Sequence, residues 1–420
     1  MLFRSALDAE GRFLALRASI VGDVGAHAVS LVQVRKTAGL LTGNYRVPAA
    51  HVRARAVATN TVPTTSYRSA GRPEAMFVME RLIELAACKL GVEAAALRRK
   101  NLPGPAEMPY RNAVGITFDN GDYPAALERA MALIDWSGHD ARRAATAARG
   151  KKLGRAVSTY IEVTTGTPRE RAEVTVRPDG TVDLVIGTQS TGQGHETSFA
   201  QLICEWLGLP IEAVRLVQGD TDVVAFGGGT QSGRSMRLAG IVVGKACEEI
   251  IAKARRAASE LLEARAEDLV FEAGRFTVAG TDRAVRLVDI ARAMQGDSLS
   301  KDTRGALDGV GDETVKHAGF PYGAAACEVE VDPDTGEVKL ARYAAVDDVG
   351  RAVNPLILHG QTHGGATQGI GQALCEQCVV DEASGQVLTG AFMDYAMPRA
   401  DMLPSFETDL FEIPSPNNPL

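Results

Sequence analysis

Two amide side chains and one imidazole in a glycine-rich stretch are the groups of this chain best suited to bind a polar ligand. The stretch, Gly187 to Thr197, reads GTQSTGQGHET and contains Gln189, Gln193 and His195. An amide both donates and accepts hydrogen bonds, and glycine lets a backbone N–H approach a bound group closely. Neither the Gly-Lys-Ser/Thr phosphate signature nor G-x-G-x-x-G is present there. The stretch therefore suits the edge of a heterocycle that carries a phosphate.

Three further segments combine amide, hydroxyl or guanidinium groups with small residues. They are SYRSAGRPEA at 66–75, GGGTQSGRSM at 227–236 and HGQTHGGATQGIGQAL at 359–374. The first two lead into predicted helices, and the third has its amides and glycines at helical spacing. Their polar groups are Arg68, Arg72, Thr230, Gln231, Ser232, Ser235, Gln361 and Gln368.

Each segment also has a purely structural interpretation. Ser232 and Ser235 fit helix N-caps, the helix glycines fit close packing, and the arginines fit a solvated face. His195 fits a hydrogen-bonded loop residue. Packing alone does not explain four such segments in one chain, and together they favour a large ligand with several phosphate and heterocycle contacts.

The elements that position these segments follow from periodicity. Val182, Leu184 and Ile186 predict a strand before the first stretch, and a helix with one apolar face follows it and stops at Gly208. Further helices are predicted from Pro73 to a cap at Gly91 and over 94–101, 123–134, 236–264 and 355–374.

Strands are predicted in hairpins. EVTVRPDGTVDLVIG and CEVEVDPDTGEVKLARYAAV each turn at a Pro-Asp pair, and CVVDEASGQVLTG predicts a third hairpin. Residues 2–60 are predicted as strands and loops, and the small, basic segment 145–154 as a linker. Hairpins with segregated helices favour an α+β fold of mixed sheets packed with helices.

Composition excludes several classes of protein. The chain has 420 residues and a net charge of −7, which gives no footprint for nucleic acid. It has no run long enough for a membrane span and no signal-peptide pattern, so a reducing cytoplasm is the expected compartment. Of the six cysteines, only Cys375 and Cys378 have metal-ligand spacing, and without a second pair they predict no metal site.

The order and wording of the polar segments resemble the molybdenum-binding large subunit of the xanthine dehydrogenase/aldehyde oxidase family, which includes carbon monoxide dehydrogenase-like proteins. The resemblance rests on SYRSAGRPEA, TQSTGQGHET, GDTDVVAFGGGTQSGRS, DDVGRAVNPLILHGQTHGGATQGIGQAL and the closing PSPNNPL. It covers essentially the whole chain in collinear order. It implies two molybdopterin-binding domains, a first over 1–145 and a second over 146–420.

The resemblance also implies a molybdenum hydroxylase that oxidises an aldehyde or N-heterocycle with a water-derived oxygen. The implied cofactor is molybdopterin cytosine dinucleotide with molybdenum. Electrons would pass to an iron–sulfur small subunit with 2Fe-2S clusters and an FAD medium subunit, in a dimer of heterotrimers. By motif match, the residues expected at the cofactor are Gly192, Gln193, Gly194, His195, Thr230, Ser232, Ser235, Gln361 and Gln368, and those expected at the substrate pocket are Arg68, Ser69 and Ala70.

Three departures from the family pattern narrow the expectation. Ser69 stands where copper-containing members carry cysteine, so a molybdenum–copper site is not expected. Ala70 stands where purine-oxidising members carry an aromatic residue, which favours an aldehyde or another N-heterocycle. The family's catalytic glutamate is expected beyond Leu420, so no residue here is assigned as the base. Glu74 and Glu196 fit helix N-terminal charges instead.

Two other functions remain open. Since both ends of the chain resemble truncations of the family pattern, the chain alone is expected to be inactive, and a non-catalytic cofactor-binding or assembly module completed by a partner chain is the alternative. A generic nucleotide-binding enzyme is a third interpretation, although it would need none of the collinear motifs. The sequence leaves the substrate and the electron acceptor undetermined.

Overall fold

The structure, a computed structural model, describes residues 2–418 and groups them into two compact units. The first unit is the chain up to Glu162 together with Gly319–Pro416. The second is Val163–Ala318, with which residues 417–418 group. Pro419 and Leu420, the end of the PSPNNPL motif, lie outside the described residues.

The helices and strands are numbered in chain order. The strands are β1 (Leu2–Leu7), β2 (Phe13–Gly25), β3 (Ala50–Ala58), β4 (Tyr110–Arg111), β5 (Thr117–Phe118), β6 (Lys152–Ile161), β7 (Arg169–Val176), β8 (Val182–Ile186), β9 (Val214–Val217), β10 (Leu269–Glu272), β11 (Arg275–Val278), β12 (Ala284–Arg286), β13 (Leu307–Thr314), β14 (Tyr322–Val331), β15 (Val338–Asp348) and β16 (Phe406–Phe411). The helices are α1 (Val32–Gly39), α2 (Arg72–Leu90), α3 (Ala94–Asn101), α4 (Tyr123–Leu133), α5 (His139–Ala147), α6 (His195–Leu207), α7 (Ser235–Leu261), α8 (Leu287–Met294) and α9 (Pro355–Leu374).

The first unit is built on two mixed sheets. One has the order β1-β2-β3, in which β1 and β2 are antiparallel and β2 and β3 are parallel. The other has the order β16-β15-β14-β6, in which only β15 and β16 are parallel. Helix α4 packs on the second sheet, where the rings of Tyr123 and Tyr322 meet edge to face with centroids 4.7 Å apart. The small strands β4 and β5 form a separate pair.

The second unit packs two helices on one mixed sheet. Its order is β13-β7-β8-β9, and β10, β11 and β12 form a small antiparallel sheet beside it. The core includes Val174, Leu184, Phe199, Val242 and Ile250, all fully buried. Apolar residues alternate along β7 and β8 because one face of that sheet is covered by the helices.

Glycine lets helix α7 lie directly on strand β13. A Cβ added to Gly309 would lie 2.0 Å from the carbonyl oxygen of Ala246, and one added to Gly311 would lie 1.8 Å from that of Val242. Any side chain at these positions would push the helix off the sheet. The close contact fixes α7, and with it the polar segment that precedes the helix.

These elements confirm the predicted α+β class of mixed sheets and hairpins packed with helices. The strand at 182–186, the helices carrying the polar segments and the two hairpins at Pro-Asp turns are all present. Helix α2 ends at Gly91 in the left-handed conformation, as its sequence predicts.

Two predictions of local structure were wrong. Residues 2–60 contain α1 in addition to strands, and the segment 145–154 holds the end of α5 and the start of β6 inside the first unit. The predicted third hairpin is present in short form, with one antiparallel bridge between Val380 and Val387 and backbone hydrogen bonds on either side of it. The compact units also divide the chain elsewhere than at 145/146, while the predicted extent of the two cofactor-binding domains stays a prediction.

Among residues 2–418, no helix has the length and hydropathy required to cross a bilayer. In the same part of the chain, no three His, Cys, Asp or Glu side chains are grouped so that they could hold a metal ion.

Candidate functional site

Two polar segments of the second unit cross at their backbones. The stretch after β8 passes the segment 226–235 so closely that a Cβ on Gly187 would lie 2.0 Å from the Cα atom of Gly227. Glycine is required on both sides of such a crossing. The crossing brings together two segments that lie 40 residues apart in the sequence, as expected for one binding site.

A chain of hydrogen bonds then joins the two segments. Nε2 of Gln193 donates to Oγ1 of Thr230 at 2.9 Å, and Thr230 shares a short hydrogen bond with Ser235 Oγ. Oε1 of Gln193 accepts from the backbone N–H of Thr191 at 2.7 Å. Three predicted cofactor residues therefore meet. One N–H of the Gln193 amide and acceptor positions on both hydroxyls stay available, because an amide nitrogen has two donors.

The glycines of the first stretch leave room beside these groups. Gly192 has φ of +110°, and a Cβ placed there would meet nothing within 4 Å. Gly194 has φ of +72° and is the N-cap of helix α6, so the first N–H groups of that helix follow it directly.

Two other predicted residues of the second unit contact their own loops. His195 is buried, its Nδ1 lies 2.9 Å from the carbonyl oxygen of Thr188, and its ring stacks on Phe199 with centroids 4.5 Å apart. Burial lowers the pKa of the His195 imidazole. Ser232 has φ of +54°, and its Oγ accepts from Thr165 Oγ1 at 3.0 Å. In this structure the buried ring of His195 and the hydrogen bond of Ser232 help to shape these loops.

A buried ion pair that sequence reasoning missed holds the segment 227–236. Arg234 and Glu170 lie 2.8 Å apart, with side-chain exposures of 2% and 0%. The same guanidinium donates to the carbonyl oxygens of Thr167 at 3.0 Å, Arg169 at 2.8 Å and Gly229 at 2.5 Å. Such a pair is tolerated in a core because its polar atoms are satisfied. Because Arg234 and Glu170 lie 64 residues apart, no local sequence pattern predicts that they pair.

In the first unit, the segment 66–75 has a strained backbone. Ser69, Ala70 and Gly71 have φ of +70°, +34° and +87°, which is a left-handed run that non-glycine residues rarely adopt. A Cβ on Gly71 would lie 2.1 Å from the carbonyl oxygen of Gln33, so this position requires glycine. Thr37 Oγ1 donates to the Gly71 carbonyl at 2.7 Å.

Glu162 and Arg72 hold the strained run in place. One Glu162 oxygen accepts a short hydrogen bond from Ser69 Oγ, and the other lies 2.5 Å from Nε of the buried Arg72. Nη1 of Arg72 donates to the Ser69 carbonyl at 2.9 Å. Glu162 was not predicted, because neither its position just after β6 nor its residue type marks it in the sequence.

Arg68 links this segment to helix α9. Its Nη2 donates to the backbone carbonyl of Gln361 at 3.0 Å, and its Nη1 lies 3.4 Å from Oε1 of Gln368. The structure therefore brings these three predicted residues together. Arg68 is exposed and retains further N–H donors, which suits it to an anionic ligand.

Polar contacts, with few apolar ones, fix α9 in position. Asp347 on β15 accepts from Thr362 and, at 2.6 Å, from the hydroxyl of Tyr160. Nδ1 of His359 lies 2.8 Å from Oγ1 of Thr408 on β16. Burial, and then the charge of Asp347, raises the pKa of the Tyr160 phenol well above its usual value. Tyr160 is therefore the donor in its bond to Asp347.

The chain is similar to known proteins in both sequence and structure. Residues 1–102 and 129–404 each match a family described as molybdopterin cofactor-binding domain. The chain belongs to this family. The match confirms the resemblance to the molybdenum-binding large subunits of the xanthine dehydrogenase/aldehyde oxidase family.

Individual relatives agree with the family. The chain is 34% identical to the carbon monoxide dehydrogenase large chain of Hydrogenophaga pseudoflava over 98% of its length and 53% of the relative's. It is 36% identical to the 6-hydroxypseudooxynicotine dehydrogenase complex subunit gamma of Paenarthrobacter nicotinovorans, over 99% of this chain and 53% of the relative. It is similar to the structure of quinoline 2-oxidoreductase from Pseudomonas putida 86, with 31% identity, a TM-score of 0.91 and coverage of 99% and 55%. The chain thus spans about half the length of these relatives.

The donor set present here fits a molybdopterin group. A pterin dinucleotide offers heterocycle edges, which need paired donors and acceptors, and phosphates, which need N–H donors and positive charge. Within the second unit, the Gln193 amide with its neighbouring hydroxyls supplies the first kind of partner, and the N-terminus of α6 supplies N–H donors of the second kind. The open space at Gly192 is the kind of cradle that a Cβ would obstruct.

Three carboxylates near these segments have identifiable structural surroundings. Glu74 and Glu196 lie in the first turns of α2 and α6, where they face the positive ends of the helices. Glu196 also accepts from Nε2 of Gln218 at 3.2 Å. Both oxygens of Glu162 are engaged by Ser69 and Arg72, so this carboxylate acts as an anchor.

Proposed function

We propose that the chain is the cofactor-holding part of a molybdenum hydroxylase that oxidises an aldehyde or N-heterocycle with a water-derived oxygen. The observation that carries the proposal is the hydrogen-bonded meeting of Gln193, Thr230 and Ser235 beside an open glycine loop. These residues belong to separate segments, and each leaves hydrogen-bonding capacity toward a ligand.

The bound group is proposed to be molybdopterin cytosine dinucleotide, and its molybdenum would supply the two-electron redox chemistry. The groups proposed to hold it in the second unit are the Gln193 amide, the Thr230 and Ser235 hydroxyls and the N–H groups at Gly192 and Gly194. His195 is proposed to border the cofactor loop with its ring buried, and Ser232 to contribute at the second loop, where it bonds Thr165. Gln361 and Gln368 are proposed to contribute from α9 in the first unit.

The substrate pocket is proposed to be lined by Arg68, Ser69 and Ala70. Ser69 directs its hydroxyl to Glu162, and a serine lacks the thiolate that would hold copper, so a site with molybdenum alone is proposed. Ala70 offers no ring for stacking, which favours an aldehyde or a small N-heterocycle over a purine.

Electrons are proposed to pass to an iron–sulfur small subunit carrying 2Fe-2S clusters and an FAD medium subunit, within a dimer of heterotrimers in the cytoplasm. The support is the similarity to a subunit of a dehydrogenase complex and to a large chain of an enzyme. The alternative is a cofactor-binding or assembly module without catalysis of its own, completed by a partner chain. The contacts among Gln193, Thr230 and Ser235 would serve such a module equally well.

Cofactor content tests the proposal. We expect the chain, produced in a host that makes the cofactor, to contain molybdenum and to release a cytosine nucleotide on acid hydrolysis. Gln193→Ala combined with Gln368→Ala should lower both contents severalfold, since each lost hydrogen bond is worth about 1 kcal/mol. Mass spectrometry for the metal and chromatography for the nucleotide measure them.

Gln386→Ala is the matched control, because Gln386 is exposed and its side chain has no described partner. It should leave both contents unchanged. Full occupancy in the double variant would show that the two amides are structural. Loaded protein that reduces a dye with an aldehyde only after partner chains are added would favour the hydroxylase, and loaded protein that never does so would favour the module.

A further inference from the structure

Strand β3 is an open edge of the first unit. The sheet has the order β1-β2-β3, so β3 pairs with β2 on one side only. The strand Ala50–Ala58 is nine residues long, contains no proline and is exposed at every residue from 53 to 58. Unpaired backbone N–H and C=O groups along such an edge are a template for another strand.

One face of this sheet is basic. The register places Arg4 opposite Arg17, and Arg17 opposite His51. Arg53 and Arg55 follow His51 at two-residue spacing, so they share its face. All five side chains are exposed. The chain as a whole is acidic, with a net charge of −7, so this cluster is a local reversal of sign.

The arginines of this face are not neutralised within the part of the chain that the structure describes. In residues 2–418, none of the four has a carboxylate partner within 4.0 Å. The carboxylate of Asp23, farther along β2, is occupied by the hydroxyls of Thr59 and Thr61 and the backbone N–H of Gly25. The positive charge is therefore available to a partner.

The arginines of this face are not explained as a device that only keeps the β3 edge from pairing with other chains. Charged residues on an edge strand can prevent pairing with other chains, and Arg53 and Arg55 alone would fit that role. Arg17, however, lies on the central strand and Arg4 on the opposite edge strand. The intervening residues of β3, at 54, 56 and 58, are exposed alanines, which leave the other face of the edge without charge.

We infer that the β3 edge binds a β-strand of another polypeptide in which acidic side chains alternate with small apolar ones. The backbone ladder would fix the register, the acidic residues would face Arg17, Arg53 and Arg55, and the apolar residues would face the β3 alanines. A second copy of this chain does not fit, because it would bring the same arginines together. Nucleic acid would match the arginines but would leave the open backbone edge unused.

A short synthetic peptide of alternating glutamate and valine, labelled with a fluorophore, tests this on the full 420-residue chain. We expect saturable binding by anisotropy and slower hydrogen exchange at the amides of residues 51–57. Binding should weaken as salt is raised from about 0.1 M to 1 M, over which the Debye length falls from about 10 Å to about 3 Å. Arg53→Glu with Arg55→Glu should weaken it by about tenfold or more.

Arg256→Glu with Arg275→Glu is the matched control, since it makes the same change of charge at exposed arginines of the second unit. Equal weakening by both pairs of substitutions would overturn the inference, as would equal binding of a lysine–valine peptide. Unchanged exchange at β3 would also overturn it. Tighter binding of a single-stranded oligonucleotide than of the acidic peptide would assign the face to nucleic acid instead.

Discussion

At the scale of single residues, the proposed substrate wall depends on backbone conformations that cost free energy. Ser69 and Ala70 have positive φ values, and each such non-glycine residue costs about 1–3 kcal/mol. The contacts of Glu162, Arg72 and Thr37 offset that cost. Strain of this kind persists where surrounding groups over-determine the geometry, which is typical of binding sites.

Gly71 offers a direct measurement of how tightly this run is held. Gly71→Ala should destabilise the chain by about 2–4 kcal/mol, because its Cβ would lie 2.1 Å from the Gln33 carbonyl oxygen in addition to the cost of φ at +87°. Gly150→Ala is the control, since Gly150 has φ of +76° with nothing within 4 Å. It should cost only about 1 kcal/mol. Urea unfolding measures the loss of stability in both variants. Equal losses would refute the close contact between Gly71 and the Gln33 carbonyl.

His195 should make stability depend on pH. Burial lowers its folded-state pKa below the ordinary 6.5, so the unfolded chain takes up a proton at higher pH than the folded chain does. The stability that the neutral imidazole contributes is fully present above about 6.5. It is lost progressively as the pH falls from there toward the folded-state pKa, with a slope of at most about 1.4 kcal/mol per pH unit.

His195→Asn tests this, because asparagine retains a donor for the Thr188 carbonyl and does not titrate. Unfolding free energies measured between about pH 5 and 7.5 should vary less with pH in this variant than in the parent chain. His27→Asn, at an exposed histidine, should retain the parent's slope. A parent slope preserved in His195→Asn would contradict the assignment.

At the scale of elements, the position of α7 depends on two glycines of β13. Gly311→Ala should cost about 2–3 kcal/mol, since its Cβ would lie 1.8 Å from the Val242 carbonyl oxygen and would displace the helix. Gly154→Ala on β6 is the control, because the nearest atom there is a Val329 methyl at 3.8 Å. That change should stay within about 0.5 kcal/mol. The free energy of unfolding, measured with a chemical denaturant, compares the two variants. A Gly311→Ala variant as stable as the parent chain would refute the close packing of α7 on β13.

Some helices and strands could be predicted from the local sequence, and others could not. Helices α2, α6 and α9 and the hairpin of β7 with β8 have strong periodicity and clear capping or turn residues, and all were predicted. Helix α1, VQVRKTAG, was missed because it is short, polar and without a side-chain cap. The linker interpretation of 145–154 failed because small and basic residues also suit α5 and the exposed start of β6.

At the scale of the whole molecule, the site was predictable as a set of segments and not as a set of contacts. Motif order was sufficient to propose Gln193, Thr230 and Ser235 as neighbours of one ligand. The groups that hold those segments, Glu170 with Arg234 and Glu162 with Arg72, are invisible in the sequence, because each pair is joined only by the folding of residues far apart in the chain. Folding, and not local pattern, determines such pairs.

Helix α9 contributes almost nothing to the core, and this bears on whether the chain folds before it takes up the proposed cofactor. Gly371 is the one fully buried residue among its 20, and polar contacts hold the rest. An element with so few buried apolar contacts can open locally while the rest of its unit stays folded. We therefore expect the chain to fold without the proposed cofactor and to take it up afterwards, while α9 is locally open.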